Sequence, residues 1–142
     1  METDFIKKSV VVRTDINNVW NYLSKISSLN WLENQKSTKF LSQKKRGVGA
    51  IRLISFEDGS NVEERIVGWY PKKHFSYIAT SGLPLNSYHA TISMNKIESG
   101  VKIIWESYFS SNEEKSDFHT FTKFLSQFYV SSLRNLKVEL EK

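Results

Sequence analysis

Between residues 48 and 109 the chain repeats one arrangement: a run of β-branched and aromatic residues, then a short break of turn-forming residues. The runs cover residues 48–56, 62–70, 75–81, 88–97 and 101–109. The breaks are Glu57-Asp58-Gly59-Ser60, Tyr70-Pro71-Lys72-Lys73, Gly82-Leu83-Pro84-Leu85-Asn86 and Glu98-Ser99-Gly100. Such compositions mark strands and turns respectively. Links this short join strands running in opposite directions, because a parallel crossover needs a dozen residues or more. The segment therefore predicts an antiparallel meander.

The flanks supply the remaining elements. Residues 5–13 contain Val10-Val11-Val12 and read as a strand. Thr14-Asp15 offers an N-cap ahead of Val19, Trp20, Leu23 and Ile26, which recur at helical spacing. A short second helix is expected over residues 27–31, an extended segment over 36–42, and a turn at Lys44-Lys45-Arg46-Gly47. The last segment predicts a long helix opened by Ser116-Asp117. Its residues Phe118, Phe121, Phe124, Leu125, Phe128, Tyr129, Leu133, Leu136 and Leu140 fall at three- and four-residue steps, which marks one broad apolar face. Helices that are few and terminal, with strands that are consecutive, make an α+β domain rather than alternating α/β. With 142 residues and no linker-like tract, a single domain over residues 1–142 is expected. Only the C-terminal helix is long enough to cover a curved sheet of about seven strands. A bent sheet gripping one helix leaves a hollow between them, which is the natural ligand site.

Composition narrows the function. The absence of cysteine excludes disulfides, thiolate nucleophiles and Cys-bearing zinc sites. His74, His89 and His119 have no metal-ligand spacing, and no phosphate loop or Gly-x-Ser-x-Gly elbow occurs, so neither cofactor nor metal is expected. No window approaches a membrane span and no signal-type segment opens the chain, so a cytoplasmic location is expected. The net charge of +5 gathers in Lys44-Lys45-Arg46 and Lys72-Lys73 at predicted turns. These clusters read first as solvated turns and second as an anionic contact, leaving room for transient contact with a membrane surface; nucleic acid is not expected as a partner. The state of association stays open between monomer and homodimer.

The order of elements is joined by sequence fragments: Val19-Trp20 and Trp31, Val48-Gly49-Ala50-x-Arg52, Glu64-Arg65-Ile66, and residues 77–88 with Leu83-Pro84. Together they resemble the START-like (SRPBCC) superfamily with its Bet v 1-like helix-grip fold, in particular the polyketide cyclase/dehydrase and lipid-transport branch. The plant abscisic acid receptors are similar over Val48-Gly49, Arg52, Glu64-Arg65, Tyr88 and Glu106-Ser107-Tyr108. That resemblance implies a polar cavity end at Arg52, Glu64, Tyr88 and Glu106, and an apolar part at Ile54, Ile78, Phe121, Leu125 and Tyr129. It does not imply a hormone receptor. Glu57-Asp58-Gly59-Ser60 stands where the receptors carry a Ser-Gly-Leu-Pro gate, and Leu83-Pro84-Leu85 replaces their latch.

Strand parity independently puts Val62, Glu64 and Ile66 on one face, with Tyr88, Ala90, Ile92 and Met94 doing likewise two strands later, while His89 points away from the cavity. If Glu106 faces inward, then Val101, Ile103 and Trp105 face outward. Arg52, Glu64 and Glu106 read either as a charged cluster gripping a carboxylate or hydroxyl, or as solvated surface pairs. Tyr88 reads as a satisfied phenol, a ligand hydrogen bond or a weak general acid. Phe121, Phe124, Phe128 and Tyr129 read as helix core or as ligand contacts, and the loops bearing Leu83 and Leu85 and residues 57–60 frame the entrance. The leading expectation is binding or transport of a small hydrophobic, lipid-like or polycyclic molecule. A cyclase or dehydratase using cavity Glu, Arg and Tyr is the enzymatic alternative, and a protein-interaction or stress-response module is the third.

Overall fold

The computed structural model describes residues 1–142. Seven strands form one antiparallel sheet: β1 (Glu2–Val12), β2 (Gln35–Phe40), β3 (Ile51–Phe56), β4 (Asn61–Tyr70), β5 (His74–Ser81), β6 (Ser87–Ile97) and β7 (Gly100–Ser111). Helix α1 (Ile16–Leu23) follows β1, and helix α2 (Lys115–Leu140) follows β7. The order across the sheet is β1-β7-β6-β5-β4-β3-β2. Every neighbour is also the neighbour in sequence except β1, which closes against β7. The sheet is curved, and register irregularities at Gln35/Ser37, Glu63/Glu64 and Ile66/Gly68 add local bend. This is the expected α+β helix-grip arrangement.

Alternation decides which residues enter the core. On β6, Tyr88, Ala90, Ile92 and Met94 are buried, and on β7 Val101, Ile103, Trp105, Ser107 and Phe109 are buried. Helix α1 begins at Asp15, whose carboxylate accepts from Asn18 N at 2.8 Å, and buries Val19, Trp20 and Leu23. Helix α2 buries Phe118, Leu125, Tyr129, Leu133 and Leu136 against the sheet. Its last turns also seal part of the β1 edge: Lys137 Nζ donates to Val11 O at 2.7 Å, and Arg13 N donates to Glu141 Oε2 at 2.8 Å. No helix is long and apolar enough to cross a membrane.

Four local expectations are corrected. No second helix forms over residues 27–31; separate turns occur instead, closed by Ser28 N to Lys25 O and Leu32 N to Leu29 O. Ile26, Leu29, Trp31 and Leu32 are buried from these turns rather than from a helical face. Strand β3 starts at Ile51 and not at residue 48, because Gly47 and Gly49 hold φ of 80° and 97° and bend the backbone out of the extended region. The N-cap of α2 is Glu114, without a side-chain cap bond, so Ser116 and Asp117 lie inside the first turn. Asp117 still meets the positive end of the helix dipole there. On β7, Trp105 faces the core and Glu106 the outer side, the reverse of the inward placement that the receptor resemblance implied.

Candidate functional site

The concave face of the sheet and α2 do not close on each other. A cavity of about 560 Å³ remains, lined by 26 residues of which 17 are hydrophobic. Ile54, Val62, Phe75, Tyr77, Tyr88, Ile92 and Trp105 come from the sheet, and Phe121, Phe124, Leu125 and Phe128 from α2. Leu29, Trp31 and Leu32 close one side from the turns after α1. The rim is made by Glu33, Asn34, Glu57, Asp58 and Ser60 on one side and Gly82, Leu83 and Pro84 on the other.

The aromatic walls brace one another. Trp105 lies flat on Tyr129 with centroids 3.7 Å apart and planes at 7°, while Trp31 meets the same indole edge-on at 5.5 Å. Phe128 joins Phe56 at 5.9 Å and Phe124 at 6.3 Å. Offset and edge-to-face pairs of this kind hold ring positions beyond what burial alone gives. Phe124 is 61% exposed and stands at the mouth.

Two polar groups are built into the apolar lining. Arg52 and Glu64 face each other on β3 and β4 and are only 4% and 7% exposed. Arg52 donates through Nη2 at 2.8 Å and Nε at 3.1 Å to Glu64 Oε1, and through Nη1 at 2.7 Å to Ile26 O. Its guanidinium also sits 5.1 Å from the Tyr77 ring centroid. Burial pushes the Glu64 carboxyl above the ordinary carboxylate range, with Arg52 pulling against it. Beside this pair runs a phenol cluster: Trp105 Nε1 donates to Tyr77 Oη at 3.0 Å, and Tyr88 Oη bonds Tyr129 Oη. Burial holds all three phenols above their usual range.

Of the expected site residues, the cavity collects Arg52, Ile54, Glu64, Leu83, Tyr88, Ile92, Phe121, Phe124, Leu125 and Phe128. Six others lie elsewhere. Glu106 is on the outer face by alternation with Trp105, and Ile78 is there by alternation with Tyr77. Ile66 and Ala90 are buried but take no part in the lining, and Leu85 sits half-buried behind the rim. Tyr129 is sealed beneath Trp105 and reaches the site only through Tyr88. The sequence reading overlooked Tyr77, Phe75 and Trp105, although the parity of Phe75 with Tyr77 was present as a signal. It also overlooked Trp31, for which no periodic signal exists. Both loops expected at the entrance, residues 57–60 and 83–86, do contribute to the rim. No cluster of three or more His, Asp or Glu side chains converges on a point.

The profile of the family described as "Polyketide cyclase / dehydrase and lipid transport" matches residues 6–141. The chain belongs to this family. Among solved structures, this polyketide cyclase/dehydrase-type chain is similar to an uncharacterised Bacillus thuringiensis protein at 20% identity and TM-score 0.80, covering 96% of this chain and 98% of that one. A Nitrosospira multiformis protein gives 17% identity and TM-score 0.82, covering 98% and 97%. The Zhui aromatase/cyclase from a Streptomyces species gives 9% identity and TM-score 0.82, covering 98% and 94%. At these identities the likeness is one of fold. No curated protein matches the sequence.

Proposed function

We propose that the chain binds and carries a small, largely apolar molecule, lipid-like or polycyclic, inside the cavity between sheet and α2. The observation that supports this most directly is the 560 Å³ of space left among braced aromatic rings. Ligand sites commonly occupy roughly 300–1,000 Å³ with mostly apolar walls and a few placed polar groups. Close packing would otherwise eliminate such a void, since interiors approach crystalline density and an empty hollow forfeits contacts on every side. Burying about 300 Å² of apolar ligand surface offers roughly 7 kcal/mol before ordering costs are subtracted.

The neutral fluorophore N-phenyl-1-naphthylamine is expected to gain emission on mixing with the protein and to saturate at one equivalent. Phe128→Trp adds volume inside the lining, so it is expected to weaken that binding about tenfold or more while the melting temperature changes little. Absence of any saturable emission from the wild type would remove this reading. Native mass spectrometry of protein extracted from its host would identify the cargo.

A second reading, cyclase- or dehydratase-type catalysis, is favoured by the buried Glu64. A carboxyl raised by burial beside a cation is suited to take a proton from a bound substrate while Arg52 stabilises developing oxyanion charge. Glu106 has no place in this chemistry, because it faces away from the cavity. Turnover of a ring-forming or dehydrating substrate that vanishes in Glu64→Gln, with ligand binding retained, would establish it.

A further inference from the structure

The charges around the cavity run against those of the chain. The whole sequence carries a net +5, yet the lining holds one cation, Arg52, and four carboxylates, Glu33, Glu57, Asp58 and Glu64. None of the three rim carboxylates takes part in a salt bridge. Glu33 accepts from Asn135 Nδ2 at 2.9 Å, and Asp58 accepts from Ser60 Oγ at 2.6 Å and Ser60 N at 2.9 Å, all uncharged partners.

The polar end is equally one-sided. Three of the five N–H groups of Arg52 are given to Glu64 Oε1 and Ile26 O, so most of its donor capacity and its charge are already met inside the protein. Glu64 Oε2 has no hydrogen-bond partner. The buried side-chain polar atom that lacks both partner and accessible surface is Ser107 Oγ, so Glu64 Oε2 keeps surface, and in a buried residue of the lining that surface borders the hollow. An unpaired carboxylate oxygen in a desolvated site calls for a hydrogen-bond donor.

We propose that the cavity selects its cargo by charge, accepting apolar molecules whose polar end donates a hydrogen bond, a hydroxyl or ammonium, and rejecting those that end in a carboxylate. This rests on the reading of the cavity as a ligand site. A carboxylate-tailed molecule passes three like charges at the rim and then meets Glu64 Oε2, with Arg52 already engaged. A hydroxyl or ammonium meets an acceptor at the same place and no repulsion on the way.

The test is calorimetric titration of the wild type with 1-decanol, decylamine and decanoate at neutral pH and low salt, beside N-phenyl-1-naphthylamine as an independent probe of the cavity. Decanol and decylamine are expected to bind, and decanoate to bind about tenfold more weakly or worse. In Glu57→Gln/Asp58→Asn, where Asn keeps the turn bonds to Ser60, the deficit of decanoate is expected to narrow, and raised salt should narrow it in the wild type by screening the rim. Decanoate binding as tightly as decanol, while the naphthylamine probe binds, would overturn the selection and leave the cavity reading standing. Failure of all four ligands would remove the cavity reading itself. An unchanged deficit both in the rim variant and at high salt would overturn the role given to the rim carboxylates.

Discussion

Arg52 and Glu64 show how much depends on a buried ion pair held by a few bonds. Removing two charges from water is costly, and the return comes from the bonds Glu64 Oε1 and Ile26 O accept. Arg52→Met would leave Glu64 buried and uncompensated, with an expected loss of roughly 3–5 kcal/mol in urea unfolding. Arg52→Met combined with Glu64→Leu is expected to recover most of that stability, because an apolar pair of similar volume needs no partner. A double variant as unstable as the single would show that the loss comes from packing rather than from charge. Glu64 was legible in the sequence through the parity of Val62, Glu64 and Ile66, and Arg52 through the likeness to the receptors' polar cavity end; their direct opposition on β3 and β4 came from the structure. Glu106 was misplaced because a likeness between short fragments was followed against the alternation of Val101, Ile103 and Trp105. Outward Ile104 blurred that alternation by putting an apolar residue on the outer side. Trp31 stayed invisible, since a residue held by single turns carries no period from which its direction can be read.

Elements meet at backbone positions as well as side chains. Gly82 opens one side of the rim with φ of 100°, and a Cβ there would stand 2.0 Å from Asn61 O. Gly59, in the turn on the other side, has φ of 89° but open space around it. Gly82→Ala is therefore expected to cost about 3 kcal/mol or more, since the start of β4 must move, whereas Gly59→Ala should cost about 1 kcal/mol from left-handed strain alone. Thermal melting of the two variants checks the ranking, and equal shifts would refute it. The strand count, the antiparallel order and the covering helix were legible because β-branched runs and turn clusters alternate so regularly after residue 48. The segment between α1 and β2 was not: its buried Ile26, Leu29 and Leu32 imitate helical spacing, while its backbone forms separate turns. Tertiary burial selected the side chains there without requiring a helix.

Across the whole molecule, buried phenols link strand to strand and the sheet to α2. Tyr88 on β6 bonds Tyr129 on α2, and Tyr77 on β5 takes the indole donor of Trp105. All three phenols are raised by burial, so the folded chain keeps protons that the unfolded chain releases above about pH 10. Their contribution is full below pH 10 and is lost as pH rises beyond it. The decline is expected to be about 1.4 kcal/mol per pH unit for each phenol, or roughly 4 kcal/mol per unit for the three. Unfolding free energies measured from pH 9 upward should therefore drop steeply above pH 10 in the wild type and less steeply in Tyr88→Phe; parallel curves would contradict the assignment.

The pairing of β1 with β7 also sets the order of events during synthesis. Residue 2 lies opposite residue 111, so β1 leaves the ribosome well before its partner and has no neighbour until β7 has emerged. The intervening strands each pair with one just made, but the inward side chains Ile6, Val10 and Val12 stay uncovered throughout. A nascent chain halted before Gly100 would thus present a sticky, unpaired N-terminal segment, and chaperone protection would matter most over that interval. Helix α2 follows every strand, so the cavity receives its roof only after the whole sheet has emerged.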